Sequence, residues 1–133
     1  MAIETCLTTA GRLAFLQGKI KPDHVFKIAL YKKTANLGKK TKAYTKTGEV
    51  TANGYMALQL SAPVFSSNED EEAIMDFPGD VVWDNVSIAA DGCLIYDETL
   101  DGLAIAVGSF GGTVTSTNDK FKLEPSADLI KFI

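Results

Sequence analysis

Histidine, cysteine and carboxylate side chains supply many catalytic and metal-binding groups in proteins, and this chain holds one histidine, two cysteines and 17 acidic residues. The histidine, His24, follows a Pro22-Asp23 turn, and no serine or cysteine motif accompanies it. A catalytic triad or a histidine metal site needs further partner side chains, and this sequence pattern does not supply them. We therefore interpret His24 as a surface turn residue. We predict that the protein is not an enzyme, with no catalytic residues, no bound metal and no cofactor.

The acidic residues offer two further kinds of chemistry, and neither is specific. The segment 97–102 superficially resembles the start of a calcium loop, but its third position is Thr99 and its twelfth is Gly108, where a bidentate glutamate is required. Glycoside hydrolysis needs two carboxylates about 5–10 Å apart in a cleft. Eleven acids between Ser66 and Gly102 make many accidental pairs. A small glycan hydrolase is therefore the weakest of the functions considered.

Trp83 and Tyr96 are the aromatic candidates for a sugar-stacking platform. Trp83, the only tryptophan, lies within the strongest apolar run of the chain. A tryptophan in that setting is more often part of a core than of a binding surface, and we predict that Trp83 is buried.

Length and composition indicate one globular domain. The 133 residues are 46% hydrophobic, which is enough for a core without metal or disulfide support. The apolar runs are far shorter than a membrane helix, and the N-terminus lacks the pattern of a signal peptide. We expect a soluble protein made in a cytoplasm, with no membrane partner and with Cys6 and Cys93 as free thiols.

The net charge of −4 conceals a strong segregation along the chain. Nine lysines and one acid between Lys19 and Lys46 give a local charge of +8, whereas the acid-rich segment 66–102 has no lysine or arginine and a charge of −11. These segments are either solvated faces that maintain solubility or surfaces that meet in an assembly. One chain can satisfy both interpretations.

The lysine loop, residues 32–46, is the main contact candidate. It is too polar to predict a core element, and loops of this length in compact domains tend to be functional or disordered. Nucleic acid is not favoured as a partner, because the loop has few aromatic side chains for stacking and the chain is acidic. The protein-contact candidates are the six lysines of this loop and four acids of an exposed tip: Lys32, Lys33, Lys39, Lys40, Lys42, Lys46, Glu69, Asp70, Glu71 and Glu72.

The segment from Val81 to Phe110 is the centre of the predicted fold. Its two apolar runs, 82–96 and 103–110, flank a polar loop at 97–102. Runs of Ile, Val and Tyr bounded by Asp and Gly predict strands, and a short loop between them predicts an antiparallel hairpin. The near-continuous apolar character of 103–107 predicts a strand that is buried on both faces and lies at the centre of a sheet.

A second hairpin is predicted around Asn53-Gly54. Both residues tolerate positive φ, and the flanking segments 44–50 and 55–60 have β character. Alternation in the second segment predicts that one set of side chains is buried: Met56, Leu58 and Leu60.

The remaining elements complete an all-β fold. Residues 3–17 carry apolar side chains at three-to-four spacing, which predicts a short N-terminal helix, with an extended arm over 1–18 as the alternative. Segments 25–31, 73–77 and 129–133 predict strands. The fold class is an antiparallel β-sandwich or jelly roll in a single domain, residues 1–133.

Three stretches resemble a family of small virion proteins of tailed bacteriophages. They are FKIALYKKTANLGKKTKAYTKTGEVTANGY (26–55), VWDNVSIAADGCLIY (82–96) and AIAVGSFGG (104–112), and the resemblance covers about residues 24–133. The chain departs from the family pattern at Cys93, where alanine is usual, and at Ser109, where aspartate is usual. These departures leave the implied fold intact.

The resemblance implies a virion structural protein, most simply a capsid decoration or cement protein. Such a protein would lie on the capsid surface, bind the major capsid protein, bridge its subunits and form a dimer or trimer. The alternative is a receptor- or glycan-binding module associated with the tail or a fibre.

Overall fold

The computed structural model describes residues 3–67, 69–123 and 131–132, and in that part of the chain it shows an all-β fold with one short α-helix and a single 3-10 turn at Glu98–Leu100. This agrees with the predicted fold class. The elements are β1 (Cys6–Leu7), α1 (Thr9–Leu16), β2 (Phe26–Tyr31), β3 (Leu58–Gln59), β4 (Val64–Ser67), β5 (Ala73–Asp76), β6 (Val81–Asp97), β7 (Leu103–Leu123) and β8 (Lys131–Phe132). They form a five-stranded sheet, ordered β1-β7-β6-β2-β3, and a three-stranded sheet, ordered β4-β5-β8, with antiparallel strands.

The central hairpin is β6 and β7, which pair from Val81 opposite Leu123 to Asp97 opposite Leu103. Ala104 to Val107 have no solvent exposure, and β7 lies between β1 and β6. The prediction of a central strand buried on both faces is therefore confirmed.

The N-terminal helix is shorter than the predicted 3–17, because Cys6 and Leu7 pair with β7 before it begins. The Thr8 hydroxyl caps the helix by accepting from the Gly11 N–H at 2.8 Å, and it donates to the Ala104 carbonyl at 2.7 Å. A Cβ at Gly11 would lie only 2.9 Å from the Ile105 Cα. The absence of a side chain at Gly11 thus lets α1 pack directly on the sheet.

Strand β2 divides two apolar clusters. Phe26, Ile28 and Leu30 face the main core, whereas Ala29 and Tyr31 face a second cluster on the opposite side. The main core also contains side chains from the helix and from the region of β5: Ala14, Met75 and Phe77. The second cluster is completed largely by the lysine loop and by β6 and β7: Ala35, Leu37, Leu94, Tyr96, Ala104 and Val107.

Trp83 is buried at 2% exposure, as predicted, and its indole N–H donates to the Met56 carbonyl at 2.7 Å. Tyr96 belongs to the second cluster, while Trp83 belongs to the main core. The two aromatics are therefore parts of different clusters and form no stacking platform.

The predicted hairpin between 44–50 and 55–60 is wrong, although residues 53–54 do form a turn. Both segments instead use the same edge of β2. Glu49 bridges Tyr31 and the Val50 N–H donates to the Leu30 carbonyl, while β3 pairs with residues 27–28. A turn signal fixes the local backbone and does not specify the partner strand.

The burial pattern predicted for this segment is also partly wrong. Met56 is 64% exposed, Leu58 is half-buried and Leu60 is buried. Tyr55 packs against the main core in place of Met56, because its hydroxyl accepts from the Leu30 N–H at 2.9 Å. A side chain thus occupies one hydrogen-bonding position of the β2 edge.

The strands predicted at 25–31 and 73–77 are confirmed as β2 and β5. Of the predicted strand 129–133, residues 131–132 form β8 beside β5, and the others lie outside the described residues. Cys6 and Cys93 are free thiols, as expected. Within the described ranges no helix is long and apolar enough to cross a membrane.

Candidate functional site

The lysine loop covers the second face of the five-stranded sheet. Ala35 and Leu37 are 1% and 3% exposed, and the Tyr44 ring stacks on Tyr96 with centroids 4.7 Å apart. The prediction that this segment is no core element is therefore wrong for its apolar side chains. They are too few and too irregularly spaced to give a periodic signal, yet each is buried against the sheet.

Backbone hydrogen bonds fix the loop on both sides. The Leu37 carbonyl accepts from the Glu4 N–H at 3.0 Å, and the Lys39 carbonyl accepts from the Thr9 N–H at 2.8 Å. Farther along, the Lys42 carbonyl accepts from the Ala104 N–H at 3.0 Å. The loop is thereby held between the N-terminal segment and the start of β7.

A buried carboxylate closes the end of the loop. Glu49 is 7% exposed, and each of its oxygens accepts a tyrosine hydroxyl: Oε1 from Tyr44 at 2.5 Å and Oε2 from Tyr55 at 2.6 Å. The Tyr31 hydroxyl donates to the Thr45 carbonyl at 2.6 Å. We name Glu49, Tyr44, Tyr55 and Tyr31 the tyrosine network.

The network keeps its phenols protonated. Burial, followed by the hydrogen bond to Glu49, raises the pKa of Tyr44 and of Tyr55 well above the usual value near 10. Burial, followed by the charge of Glu49, likewise raises the pKa of Tyr31. Each phenol therefore remains a neutral hydrogen-bond donor at physiological pH.

The six predicted lysines all lie exposed on this loop: Lys32, Lys33, Lys39, Lys40, Lys42 and Lys46. No carboxylate of the described part of the chain lies within 4 Å of their ammonium groups. By contrast, Lys27 pairs with Glu98 at 2.5 Å, and Lys122 pairs with Asp80 at 3.2 Å. Among the described residues, the ion pair that joins the positive segment to the negative one, Lys27 with Glu98, thus lies outside the lysine loop.

The four predicted acids lie at the turn between β4 and β5. Glu69, Asp70 and Glu71 are exposed, and Glu72 is half-buried. The predicted exposure is confirmed for Glu69, Asp70 and Glu71 and is wrong for Glu72. No ion pair joins these acids to the lysine loop within the ranges described.

A polar groove of about 520 Å³ lies between the N-terminal segment and the lysine loop. Glu4 lines it on one side and the loop lines it on the other, through residues 36–41 and Thr45. Lys39 and Lys40 are the two contact candidates that line this groove.

The structure corrects the interpretation of His24 as a surface turn residue. Its Nδ1 lies 2.6 Å from Oδ2 of Asp97, which is fully buried, and Oδ1 of Asp97 accepts from the Thr99 N–H at 3.0 Å. No hydroxyl or thiol of the described residues hydrogen-bonds to the other ring nitrogen, so the pair is not assembled into a triad. The pair instead links the segment just before β2 to the last residue of β6.

The described residues support neither metal binding nor a reactive thiol. The described residues contain no cluster of three potential metal ligands. Burial raises the pKa of the Cys93 thiol to about 12 and also raises the pKa of Cys6. Both thiols are therefore poor nucleophiles at neutral pH.

Comparison of the chain with protein-family models, with curated proteins and with solved structures found no match.

Sequence reasoning missed Glu49 and Tyr55 as the residues that hold the loop. Both lie near the Asn53-Gly54 turn, and nothing in their spacing reveals that they meet through side chains over β2. The only sequence signal is one isolated acid, Glu49, in a long stretch of lysines and tyrosines.

Replacing Tyr55 by phenylalanine removes one of the two donors to Glu49 and leaves a buried carboxylate oxygen unpaired. We expect the free energy of unfolding to fall by about 1–3 kcal/mol, measured by urea denaturation. Tyr96→Phe is the matched control, since no hydrogen bond joins that hydroxyl to another described residue. Equal losses in the two variants would contradict a supporting role for the Tyr55 hydroxyl.

The raised pKa values predict how stability depends on alkaline pH. Burial also raises the pKa of Tyr96 to about 12. Because the pKa of each of the four tyrosines, Tyr31, Tyr44, Tyr55 and Tyr96, is higher in the folded protein than the value near 10 of an unfolded chain, their contribution to stability is complete below about pH 10 and declines as pH rises further. We expect tyrosinate absorbance near 295 nm to appear together with unfolding seen by circular dichroism. Titration of two or more tyrosines near pH 10 in the folded protein would contradict this.

Proposed function

We propose that this chain is a bacteriophage virion structural protein, a capsid decoration or cement protein that stabilises the head by bridging major capsid subunits. The observation that supports it is the lysine loop, whose six cations are exposed and lack a carboxylate partner in the described structure. The family resemblance of 26–55, 82–96 and 104–112 supports the same assignment.

The tyrosine network supports a contact role for the loop. Holding cations close together is unfavourable because they repel one another, and the repulsion is relieved when an acidic surface lies opposite. A loop fixed by Glu49, by Leu37 and by backbone hydrogen bonds has little conformational entropy left to lose on binding. An acidic surface of the capsid protein is the partner with matching charge.

We propose a dimer or trimer at the capsid surface. Several weak contacts made at once by linked copies give high avidity without a large interface at any one of them. The protein is made in the host cytoplasm and joins the particle there. In this proposal it has no enzymatic activity and no nucleic-acid or membrane partner.

A glycan- or receptor-binding module of the tail or a fibre is the second candidate. The groove of about 520 Å³ favours it, because Asn36, Thr41 and Thr45 offer polar groups that suit sugar hydroxyls. The burial of Trp83 and Tyr96 weighs against it, since neither ring is available for stacking on a sugar.

The test compares binding of the purified protein to capsids that lack it, by co-sedimentation at several salt concentrations. The triple variant Lys39→Glu, Lys40→Glu, Lys42→Glu should remain folded, because exposed charge changes usually alter stability by less than about 0.5 kcal/mol each. We expect it to lose capsid binding by about tenfold or more at low salt, with a smaller difference at high salt.

The control variant is Lys19→Glu, Lys21→Glu, Lys120→Glu, which makes the same charge change at exposed positions outside the loop. It should bind capsids nearly as well as the wild type. Unchanged binding of the first variant at low salt would contradict a contact role for the lysine loop. Binding of the wild type to a glycan array but not to capsids would favour the second candidate.

A further inference from the structure

Backbone hydrogen bonds hold both sides of the groove beside the lysine loop. Ile3 forms a parallel bridge with Leu37, and the Glu4 and Thr9 N–H groups bond to the loop backbone at Leu37 and Lys39. Both walls are therefore positioned before any ligand arrives. The volume of about 520 Å³ is typical of a small-ligand pocket. The groove can therefore take only a few side chains of a partner protein.

Hydrogen-bond donors dominate the loop side of the groove. The Thr41 hydroxyl oxygen already accepts from the Gly38 N–H at 3.0 Å, and the Thr45 hydroxyl oxygen accepts from the Thr47 N–H at 3.1 Å. Each hydroxyl therefore keeps its hydrogen to donate. With the ammonium groups of Lys39 and Lys40, the loop offers charged and neutral donors that suit carboxylate oxygens.

The carboxylate of Glu4 limits how much negative charge a ligand can bring into the groove. Its carboxylate lies close to the loop backbone, since a Cβ at Gly38 would be 3.4 Å from Glu4 Oε2. A continuous polyanion such as a nucleic-acid strand would bring phosphates against this carboxylate, and the chain's net charge of −4 adds to the repulsion. A peptide can place its acids on Lys39 and Lys40 and a neutral or basic residue beside Glu4.

We propose that this groove binds a short acidic segment of a partner protein, with its carboxylates on Lys39 and Lys40. The inference rests on the proposed function and names the part of the lysine loop that makes the specific contact. Lys32 and Lys33 lie outside the groove lining and contribute only to the general positive field.

The probe is a fluorescently labelled eight-residue peptide rich in glutamate, and its binding to the 133-residue chain is measured by fluorescence anisotropy at low salt. Lys39→Glu with Lys40→Glu should weaken binding by about tenfold or more, and Lys32→Glu with Lys33→Glu by less than about threefold. The two variants change the net charge equally, so a difference in peptide affinity between them measures what the groove contributes to binding. Glu4→Gln should strengthen binding by about twofold to fivefold.

Three results would overturn the inference: no peptide binding by the wild type, equal loss in the two double variants, or tighter binding of a single-stranded DNA oligonucleotide of equal charge.

Co-sedimentation of the same wild-type preparation with capsids distinguishes failure of this inference from failure of the proposed function. Capsid binding without peptide binding would reject the groove and leave the function standing. Peptide binding without capsid binding would support the groove and reject the cement assignment.

Discussion

The buried carboxylate of Glu49 is the constraint on which the second face of the sheet depends. A carboxylate with little access to water must have its oxygens hydrogen-bonded, and here each oxygen accepts one phenol, from Tyr44 and from Tyr55. Tyr44 precedes Glu49 and Tyr55 follows it beyond the Asn53-Gly54 turn. The interaction therefore ties both flanks of this segment together across the edge of β2, where the Tyr55 hydroxyl also accepts from the Leu30 N–H.

This arrangement separates the two sides of the lysine loop. Its apolar side chains, Ala35 and Leu37, pack with the Tyr44 ring on the sheet, while its lysines face solvent. At the other end of β2, the His24 and Asp97 pair fixes the chain in a similar way. The loop can then present a defined pattern of positive charge, and the energetic penalty of ordering it is met within the fold before a partner binds.

The elements predicted correctly are those with long, continuous signals. The β6–β7 hairpin follows from two apolar runs flanking a polar loop, and burial on both faces of the first part of β7 follows from the run at 103–107. Prediction failed where side chains determine pairing. The Asn53-Gly54 turn was recognised, but its flanks pair with β2 because Glu49 and Tyr55 meet there. The lysines were predicted as contact candidates from the charge, polarity and length of the loop, whereas the groove depends on the N-terminal segment reaching Leu37, a contact distant in sequence.

If the chain is a capsid decoration protein, as proposed, cryo-electron microscopy of the phage particle shows where it lies and which surface its lysine loop contacts. We predict copies on the outer surface of the head, with residues 32–46 against an acidic surface of the capsid protein and with the groove beside Lys39 and Lys40 occupied. Copies found only at the tail, or copies on the head whose lysine loop faces solvent, would contradict it.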